Sequence, residues 1–344
     1  MRIALVGAGV QGSLHAAVLD QLDGIDLAAV VDLDESRAGK LAGPRGALAT
    51  GHLPRVLDRA DVDAVAVCVP SGLHAGVGEQ VLFAGKHLLM EKPLDVTLAA
   101  ADRVIAAERA TGLTVGVVSQ RRFQPAFVFL HDLVQSGRIG RVTSGLSESP
   151  FWRTQDYYDG GDWRGTVDLD GGGALMNQGI HGLDLLLWLM GEPVEVSARW
   201  ATLAHERIEV EDTLSATIVF DSGAIGTMTA TTAAYPGRSV RLTLCGTDGT
   251  AIVDDERLVD LQVRDGSTRD DRPPGILDTT ESLGAQYADF AEAVSSGRPP
   301  LVGTAQARLA LATVLAVYGS ARAGGMPTAV DRPGGVAPRQ TTDR

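Results

Sequence analysis

Residues 2–12 read RIALVGAGVQG, a short apolar segment that runs directly into a Gly-x-Gly-x-x-Gly motif. The segment Arg2–Val6 predicts a buried strand, and the spacing of Leu14, Val18 and Leu22 predicts an amphipathic helix after the glycines. A strand, a glycine turn and a helix in this order are typical of a dinucleotide-binding unit, in which a pyrophosphate lies at the positive end of the helix. The sequence therefore predicts an α/β domain here.

An acidic residue completes this motif. A second predicted strand, Asp26–Val31, ends at Asp32, which follows Gly12 by 20 residues (32 − 12). A carboxylate at this distance accepts hydrogen bonds from a ribose 2′-hydroxyl and repels a 2′-phosphate, so the pattern favours NAD. Arg37 lies close enough in sequence to leave NADP as an alternative. The predicted cofactor contacts of this region are Gly7, Gly9, Val10, Gln11, Gly12 and Asp32.

Alternating apolar strands and amphipathic helices continue to residue 118 and predict a parallel sheet with helices on both faces. The strand that starts at His87 stops abruptly at Glu91-Lys92-Pro93. Ligands of such sheets lie beyond the carboxyl ends of the strands, so Lys92 is a candidate ligand contact, with a solvated lysine as the alternative. Pro70-Ser71 closes the preceding strand, and His74 begins a helix there as either a ligand contact or a capping or surface residue.

From Phe123 the pattern changes to a helix, a strand at Val142–Ser149 and a segment in which aromatic and arginine residues are concentrated. The concentrated residues are Phe151, Trp152, Arg153, Tyr157, Tyr158, Trp163 and Arg164. Flat rings with a polar handle suit a sugar ring or a nicotinamide, and a core or interface cluster is the alternative.

Three glycines, Gly171–Gly173, precede a predicted helix at Ala174–Leu189. Asn177, His181 and Asp184 are spaced by four and three residues, which places them on one helical face. A histidine beside an amide and an acid favours a role in proton transfer. Metal binding is the alternative use, but two ligands without a third nearby make a poor metal site, and no metal is predicted.

The remainder of the chain is predicted to form a large, mostly antiparallel open sheet with a helix layer on one face. The predicted strands are Val196–Leu203, Thr213–Phe220, Ala224–Thr231, Val240–Cys245 and Leu258–Val263, and the helices are Ala285–Ser295 and Ala305–Ala323. The uncovered face predicts a homodimer or homotetramer assembled through this sheet. We divide the chain into a dinucleotide-binding domain at 1–122, an α/β substrate and oligomerisation domain at 123–327, and a disordered tail at 328–344.

Composition excludes several classes of protein. The chain has 344 residues, which predicts two domains, and its formal net charge of −13 argues against nucleic-acid and anionic-membrane partners. Cys68 and Cys245 are the only cysteines, which provides no disulfide framework. No apolar run is long enough to span a bilayer, and a strand that starts at Arg2 leaves no room for a signal peptide. We therefore expect a cytoplasmic protein.

From Arg2 to about Ala323, the sequence resembles the glucose-fructose oxidoreductase / inositol dehydrogenase / MocA family. The motifs that carry the resemblance are the glycine motif Gly7–Gly12, Glu91-Lys92-Pro93, RRFQP at 121–125, WRGT at 163–166 and Gly171 through Asp184. The resemblance implies a Rossmann domain, an open sheet used in oligomerisation and an NAD(P)-dependent oxidoreductase. Its expected reaction transfers a hydride between nicotinamide and a secondary alcohol or ketone of a sugar, cyclitol or nucleotide-linked sugar derivative. It also implies a cis peptide bond before Pro93.

The resemblance assigns roles to individual residues. Lys92 is expected to hydrogen-bond the reacting hydroxyl and His181 to exchange its proton, with Asn177 as a third catalytic residue. Further expected cofactor contacts are Pro70, Ser71, His74, Glu91, Lys92, Gln120, Trp163, Arg164 and Tyr287. The expected substrate contacts are Lys92, Arg122, Arg153, Tyr158, Asn177 and His181.

One position departs from the family pattern. Many sugar and inositol dehydrogenases of the family carry Asp where this chain has Asn177, and an amide cannot supply the charge that raises a histidine pKa. The form Met-Asn-Gln-Gly-Ile-His resembles members that act on nucleotide-linked amino sugars or other sugar derivatives, which argues against an inositol substrate. It also leaves open how Lys92 and His181 share the proton transfer. An NAD-dependent glycosidase and a non-catalytic cofactor-binding regulator are the alternatives, although a regulator would not need both side chains.

Overall fold

The computed structural model describes residues 1–161, 163–264, 266, 273 and 275–332. The chain forms two compact units. The first unit comprises Met1–Gln124, Asp168–Gly171 and Leu277–Arg308; the second comprises Pro125–Val167, Gly172–Ile276 and Leu309–Arg344, as far as these residues are described. The chain therefore returns to the first unit after the second has begun. The single domain boundary predicted at residue 122 does not account for these returning segments.

The first unit contains a six-stranded, fully parallel sheet in the order β3-β2-β1-β4-β5-β6. Its strands are β1 Arg2–Val6, β2 Asp26–Val31, β3 Leu48–Thr50, β4 Ala64–Val67, β5 His87–Met90 and β6 Val115–Val117. This is the order of a doubly wound dinucleotide-binding fold, in which ligands bind where the order reverses, beside β1 and β4. The predicted Rossmann domain is confirmed.

Helices cover this sheet because its strands are apolar on both faces. They are α1 Val10–Leu19, α2 Glu35–Ala42, α3 Leu53–Leu57, α4 His74–Phe83, α5 Leu98–Thr111 and α9 Thr279–Ser296. On α9, Leu283, Tyr287 and Phe290 recur at spacings of four and three and are almost fully buried. They pack with Val18 and Leu19 of α1 in one apolar core, which is why this late segment belongs to the first unit.

The second unit contains an eight-stranded mixed sheet in the order β13-β12-β11-β7-β10-β9-β8-β14. Its strands are β7 Val142–Pro150, β8 Pro193–Ala201, β9 Thr213–Phe220, β10 Ile225–Thr231, β11 Arg241–Gly246, β12 Gly249–Asp254, β13 Arg257–Val263 and β14 Thr328–Ala329. Only the β7–β10 pair is parallel, so the predicted mostly antiparallel sheet is confirmed. The sequence did not predict β12.

The remaining helices are α6 Pro125–Gln135, α7 Gln155–Asp159, α8 Ile180–Met190 and α10 Thr304–Arg322, whose first residues belong to the first unit. Close packing of α8 on the sheet depends on small residues, since a Cβ added at Gly182 would lie 2.3 Å from the Ser147 hydroxyl oxygen. Along β9 and β10, buried residues alternate with exposed or half-buried ones, so the sheet has a packed face and an open face.

Two predictions of secondary structure need correction. The predicted helix at Ala174–Leu189 is a π-helical turn at Leu175–Gly179 followed by α8. The predicted disordered tail begins too early, because Thr328–Ala329 pairs with β8; residues 333–344 lie outside the described residues. Residues 265, 267–272 and 274 lie outside them as well. Among the described helices, none is both long and apolar enough to cross a bilayer.

Candidate functional site

The glycine motif forms a backbone cradle between β1 and α1. Gly7 has a φ of +101°, and a Cβ there would lie 2.5 Å from the Cys68 carbonyl oxygen. A Cβ at Gly12 would lie 1.9 Å from the Gly7 carbonyl oxygen, whereas a Cβ at Gly9 would meet nothing within 4 Å. Gly7 and Gly12 are thus required for packing, and Gly9 leaves an open surface at the positive end of the ten-residue helix α1. This cradle fits the pyrophosphate of a dinucleotide. The neighbouring side chains of Val10 and Gln11 are exposed beside it.

The carboxylate of Asp32 is held against this cradle. Its Oδ2 accepts the Ala8 amide at 2.7 Å and its Oδ1 accepts the Asp34 amide at 2.8 Å. Arg37 pairs with Asp34 at 3.3 Å. The carboxylate is therefore fixed where the motif places the ribose diol. Arg37, the residue that kept NADP as an alternative, forms an ion pair with Asp34.

Pro70 and Ser71 follow β4, where Ser71–Leu73 forms a 3-10 turn before α4. The buried ring of His74 bridges two backbone carbonyls, with Nδ1 2.7 Å from Pro93 O and Nε2 3.0 Å from Val69 O. Burial lowers the pKa of His74, although the carbonyls of Pro93 and Val69 act in the opposite direction. The structure gives His74 a structural role at this strand end, and its predicted cofactor contact stays a prediction.

Lys92 follows β5, and the peptide bond between Lys92 and Pro93 is cis, as the resemblance implied. The Lys92 amide donates to Oε2 of Glu91 at 3.1 Å, and the Glu91 side chain is buried. The main chain on the amino-terminal side of the lysine is thereby tied to a fixed carboxylate. The structure thus places Lys92 at the carboxyl edge of the parallel sheet, where the sequence predicted it.

A buried network that the sequence did not predict lies beneath Lys92. His15 of α1 contacts Oε1 of Glu91 through Nε2 at 3.1 Å and the Tyr287 hydroxyl through Nδ1 at 2.6 Å. Burial by itself lowers the pKa of His15, but Cys68, Tyr287 and Glu91 raise it well above its usual value. Burial raises the pKa of Glu91, yet His15 lowers it overall. The pair is therefore charged. Tyr287 is fully buried, so its predicted cofactor contact stays a prediction.

Gln120 and Arg122 lie on a 3-10 turn, Gln120–Phe123, that follows β6. Within the described part of the chain, the buried Oε1 atom of Gln120 has no hydrogen-bond partner, as expected of an atom that contacts a ligand. Arg122 is only 3% exposed. The turn itself is anchored by Gln286, whose amide group bonds the main chain of Val117 and Ser119.

In the second unit, Asn177 lies on the π-helical turn and His181 lies in the first turn of α8. The Asn177 amide donates to Gly173 O at 3.0 Å. Because a π turn is wider than an α turn, the four-residue spacing does not align these two side chains as a continuous α-helix would. Asp184 is buried on the same helix.

The aromatic segment forms a cluster in the second unit. The guanidinium carbons of Arg153 and Arg164 lie 5.2 Å and 4.6 Å from the centre of the Tyr157 ring, and Arg164 also lies 5.4 Å from that of Trp163. Tyr158 is buried and shares a hydrogen bond of 2.8 Å with the Thr232 hydroxyl. Tyr158 thus belongs to the core of this unit, and its predicted substrate contact stays a prediction.

A cavity of about 440 Å³ lies at the opposite, amino edge of the first sheet. Met1, Asp63, Lys86 and His87 are among the residues that line it. Since ligands of parallel sheets bind at the carboxyl edge, the geometry gives this cavity no part in the site. Among the described residues, no group of three or more His, Cys, Asp or Glu side chains is arranged to hold a metal ion.

Comparisons with known proteins agree with this geometry. Residues 1–119 match the oxidoreductase family with an NAD-binding Rossmann fold, and residues 127–252 match the GFO/IDH/MocA C-terminal domain. A 4-carboxy-2-hydroxymuconate-6-semialdehyde dehydrogenase from Sphingobium sp. is 30% identical over 66% of this chain and 71% of its own length. The myo-inositol 2-dehydrogenase of Thermotoga maritima is 29% identical over 90% of this chain and 93% of its own.

Solved structures extend the comparison. The WlbA dehydrogenase from Bordetella pertussis, crystallised in complex with NADH and UDP-GlcNAcA, superposes with a TM-score of 0.89 at 28% identity, covering 97% of this chain and 98% of that one. GenD2 from gentamicin A biosynthesis, crystallised in complex with NAD, superposes with a TM-score of 0.81 at 28% identity, covering 96% of each chain.

Proposed function

The chain belongs to the GFO/IDH/MocA oxidoreductase family, and we propose that it is an NAD-dependent dehydrogenase or reductase of a secondary alcohol or ketone on a sugar derivative. The observation that carries this proposal is the glycine cradle beside Asp32, with an open surface only at Gly9. It binds the dinucleotide, and Lys92 and His181 supply the groups that the reaction of an alcohol requires.

NAD held by the glycine cradle and Asp32 would supply the acceptor for a hydride from the alcohol carbon. The hydroxyl proton must leave as the hydride departs, and His181 serves as the base because imidazole exchanges protons near neutral pH. Lys92 stabilises the negative charge that develops on the oxygen. Glu91 fixes the main chain at Lys92, and Asn177 orients the substrate through its amide rather than through charge.

We propose that the substrate is nucleotide-linked or carries a carboxylate. Among the described residues, neither Arg153 nor Arg164 pairs with a carboxylate, although both are half-buried against Tyr157. Guanidinium groups bind phosphate and carboxylate well. The similarity to a dehydrogenase crystallised with UDP-GlcNAcA supports the same class, as does Asn177 in place of the usual Asp.

The test is NADH formation, followed at 340 nm, across neutral sugars, inositols, uronic acids and UDP-linked sugars and their acids. We expect turnover with the anionic members, and turnover confined to neutral sugars or inositols would contradict the substrate class. Lys92→Ala should lose most of kcat while still binding NADH, and Lys40→Ala, an exposed matched control, should lose nothing. Wild-type turnover by the Lys92 variant would remove Lys92 from the chemistry.

Release of free sugar without net NADH formation would favour the NAD-dependent glycosidase instead.

The proposal includes a homo-oligomer, dimer or tetramer, that covers the open face of the second sheet, and a cytoplasmic location. Exposed side chains on that face include Ser215, Thr217, Thr227 and Thr229 of β9 and β10. Both cysteines are free, which suits a reducing compartment. A Thr227→Arg variant should reduce the mass measured by light scattering, and an unchanged mass would exclude this face as the interface.

A further inference from the structure

The start of the helix that carries Asn177 and His181 is held by the buried carboxyl group of a residue outside the helix. Glu211, just before β9, is only 3% exposed. Its Oε2 accepts the Gly173 amide at 2.9 Å, and its Oε1 accepts the Leu175 amide at 2.8 Å. Its backbone carbonyl accepts the intervening amide of Ala174 at 2.9 Å. One residue therefore binds three consecutive amides.

A second side chain binds the next amide. The Tyr318 hydroxyl of α10 accepts the Met176 amide at 3.1 Å and donates to Oε1 of Glu211 at 3.0 Å. The first four amides of a helix have no partner within it and must find one elsewhere when buried. Here, Glu211 and Tyr318 bind all four, from residues 173 to 176. Asn177 is the next residue, and its amide is the first in this series to bond back to the helix, at Gly173 O.

The glycines before the helix are explained by the same contacts. A Cβ at Gly172 would lie 2.2 Å from the Tyr318 hydroxyl oxygen, and a Cβ at Gly173 would lie 1.7 Å from the Glu211 carbonyl oxygen. Any larger residue would push these partners away from the amides. The triple glycine is thus the sequence trace of a close approach by Glu211 and Tyr318.

We propose that Glu211 and Tyr318 are positioning residues for the reaction, which set where the helix begins and so where Asn177 and His181 point. The inference rests on the proposed function of those two side chains. The π-helical turn at Leu175–Gly179 follows the four bound amides directly, so the rotation of every residue after it depends on these contacts. Both residues are expected to act through the main chain at the helix start.

The test compares Glu211→Gln and Tyr318→Phe with matched substitutions in the same unit. Glu148→Gln replaces a partly exposed acid on β7, and Tyr235→Phe replaces an exposed tyrosine. A glutamine at 211 keeps one acceptor oxygen but turns an NH₂ group toward amide donors. We expect kcat to fall about 10- to 100-fold in the Glu211 variant, since small misplacements of reacting groups have effects of this size. Tyr318→Phe should lower kcat less, and the two control variants should leave it unchanged.

Two readouts separate positioning from a general loss of structure. The dissociation constant for NADH, measured by fluorescence, should stay within about twofold of the wild type, because the glycine cradle lies in the other unit. In a His181→Ala background, Glu211→Gln should have little further effect on residual kcat if it acts through His181. An undiminished further loss in that background, or wild-type kcat in Glu211→Gln, would overturn the inference.

Hydrogen exchange tests the hydrogen bonds from the helix start to Glu211 and Tyr318 without any turnover. Amides in peptides that cover residues 172–181 should exchange faster in Glu211→Gln and in Tyr318→Phe, while peptides from β1 and α1 should not change. Failure of every substrate would contradict the proposed function but leave this result standing. Unchanged exchange at 172–181 in both variants would show that Glu211 and Tyr318 do not hold the helix start, and would overturn the inference.

Discussion

The Nε2 atom of His15 lies 3.1 Å from the Oε1 atom of Glu91, and both side chains are buried in the first unit. The other oxygen of Glu91 accepts the Lys92 amide at 3.1 Å. A charge pair of this kind is costly to break from one side, because the remaining partner stays buried without a countercharge. The main chain at Lys92 is thus coupled to the core beneath the cofactor cradle.

Removing His15 should strongly destabilise the protein. His15→Ala leaves the Glu91 carboxylate buried without its cation, and we expect the free energy of unfolding in urea to fall by about 3–5 kcal/mol. Tyr287→Phe removes only the hydroxyl bonded to His15 and should cost about 1 kcal/mol. His52→Ala, at an exposed histidine, is the control and should stay within about 0.5 kcal/mol of the wild type. Equal losses in the His15 and His52 variants would contradict the charged pair.

The same pair should make stability depend on pH in two directions. The pKa of His15 is raised above its ordinary 6.5, so its contribution is complete below pH 6.5 and is lost as the pH rises through the folded pKa. The pKa of Glu91 is lowered from 4.5, so its contribution is complete above pH 4.5 and is lost as the pH falls through the folded pKa. The pair should therefore contribute most between pH 4.5 and 6.5.

Urea unfolding of the wild type and His15→Gln at pH 5.5 and 8.5 measures this contribution. The stability difference between the two proteins should shrink at the higher pH, since the wild type loses a contribution that the variant never had. A difference that stays constant would show that folding leaves the pKa of His15 unchanged, and would contradict the charged pair.

The glycines of the cradle should separate binding from folding. Gly9→Ala adds a methyl group to open space, so it should leave stability within about 0.5 kcal/mol but weaken NADH binding, measured by fluorescence titration. Gly12→Ala places a carbon 1.9 Å from the Gly7 carbonyl oxygen and should destabilise the first unit by more than about 1 kcal/mol. Unchanged NADH affinity in Gly9→Ala would move the pyrophosphate away from this loop.

The sequence predicted what depends on local pattern. The strand, glycine motif and acid of residues 2–32 were sufficient to predict the dinucleotide-binding fold, because turn chemistry and hydrophobic periodicity act over short distances. His15 was not identified, since its partner Tyr287 lies 272 residues away and a histidine on the buried face of a helix has no local signature. The π-helical turn was not predicted for the same reason, because the acid that binds its start, Glu211, lies 38 residues beyond Gly173.

Burial of Glu211 gives a further prediction about pH. Burial raises the pKa of Glu211 from 4.5 to about 7, although the amides of Leu175 and Gly173 and the Tyr318 hydroxyl favour the charged form. The folded protein then holds this proton more tightly than the unfolded chain between pH 4.5 and 7, so the free energy of unfolding falls as the pH rises through that window. A shift of 2.5 units (7 − 4.5) corresponds to about 3 kcal/mol.

Glu211→Gln carries no titrating group at this position and should lack that decline. Urea unfolding from pH 5 to 8 should show the variant gaining about 2–3 kcal/mol relative to the wild type as the pH rises, whatever their difference at pH 5. Glu148→Gln changes a partly exposed side chain that pairs with Arg241, and its free energy of unfolding should differ from that of the wild type by the same amount at every pH. The decline assigned to His15 should remain in all three proteins. Parallel curves for the wild type and Glu211→Gln would mean that the carboxyl stays ionised throughout, because the three hydrogen bonds that it accepts from Gly173, Leu175 and Tyr318 would then outweigh its burial.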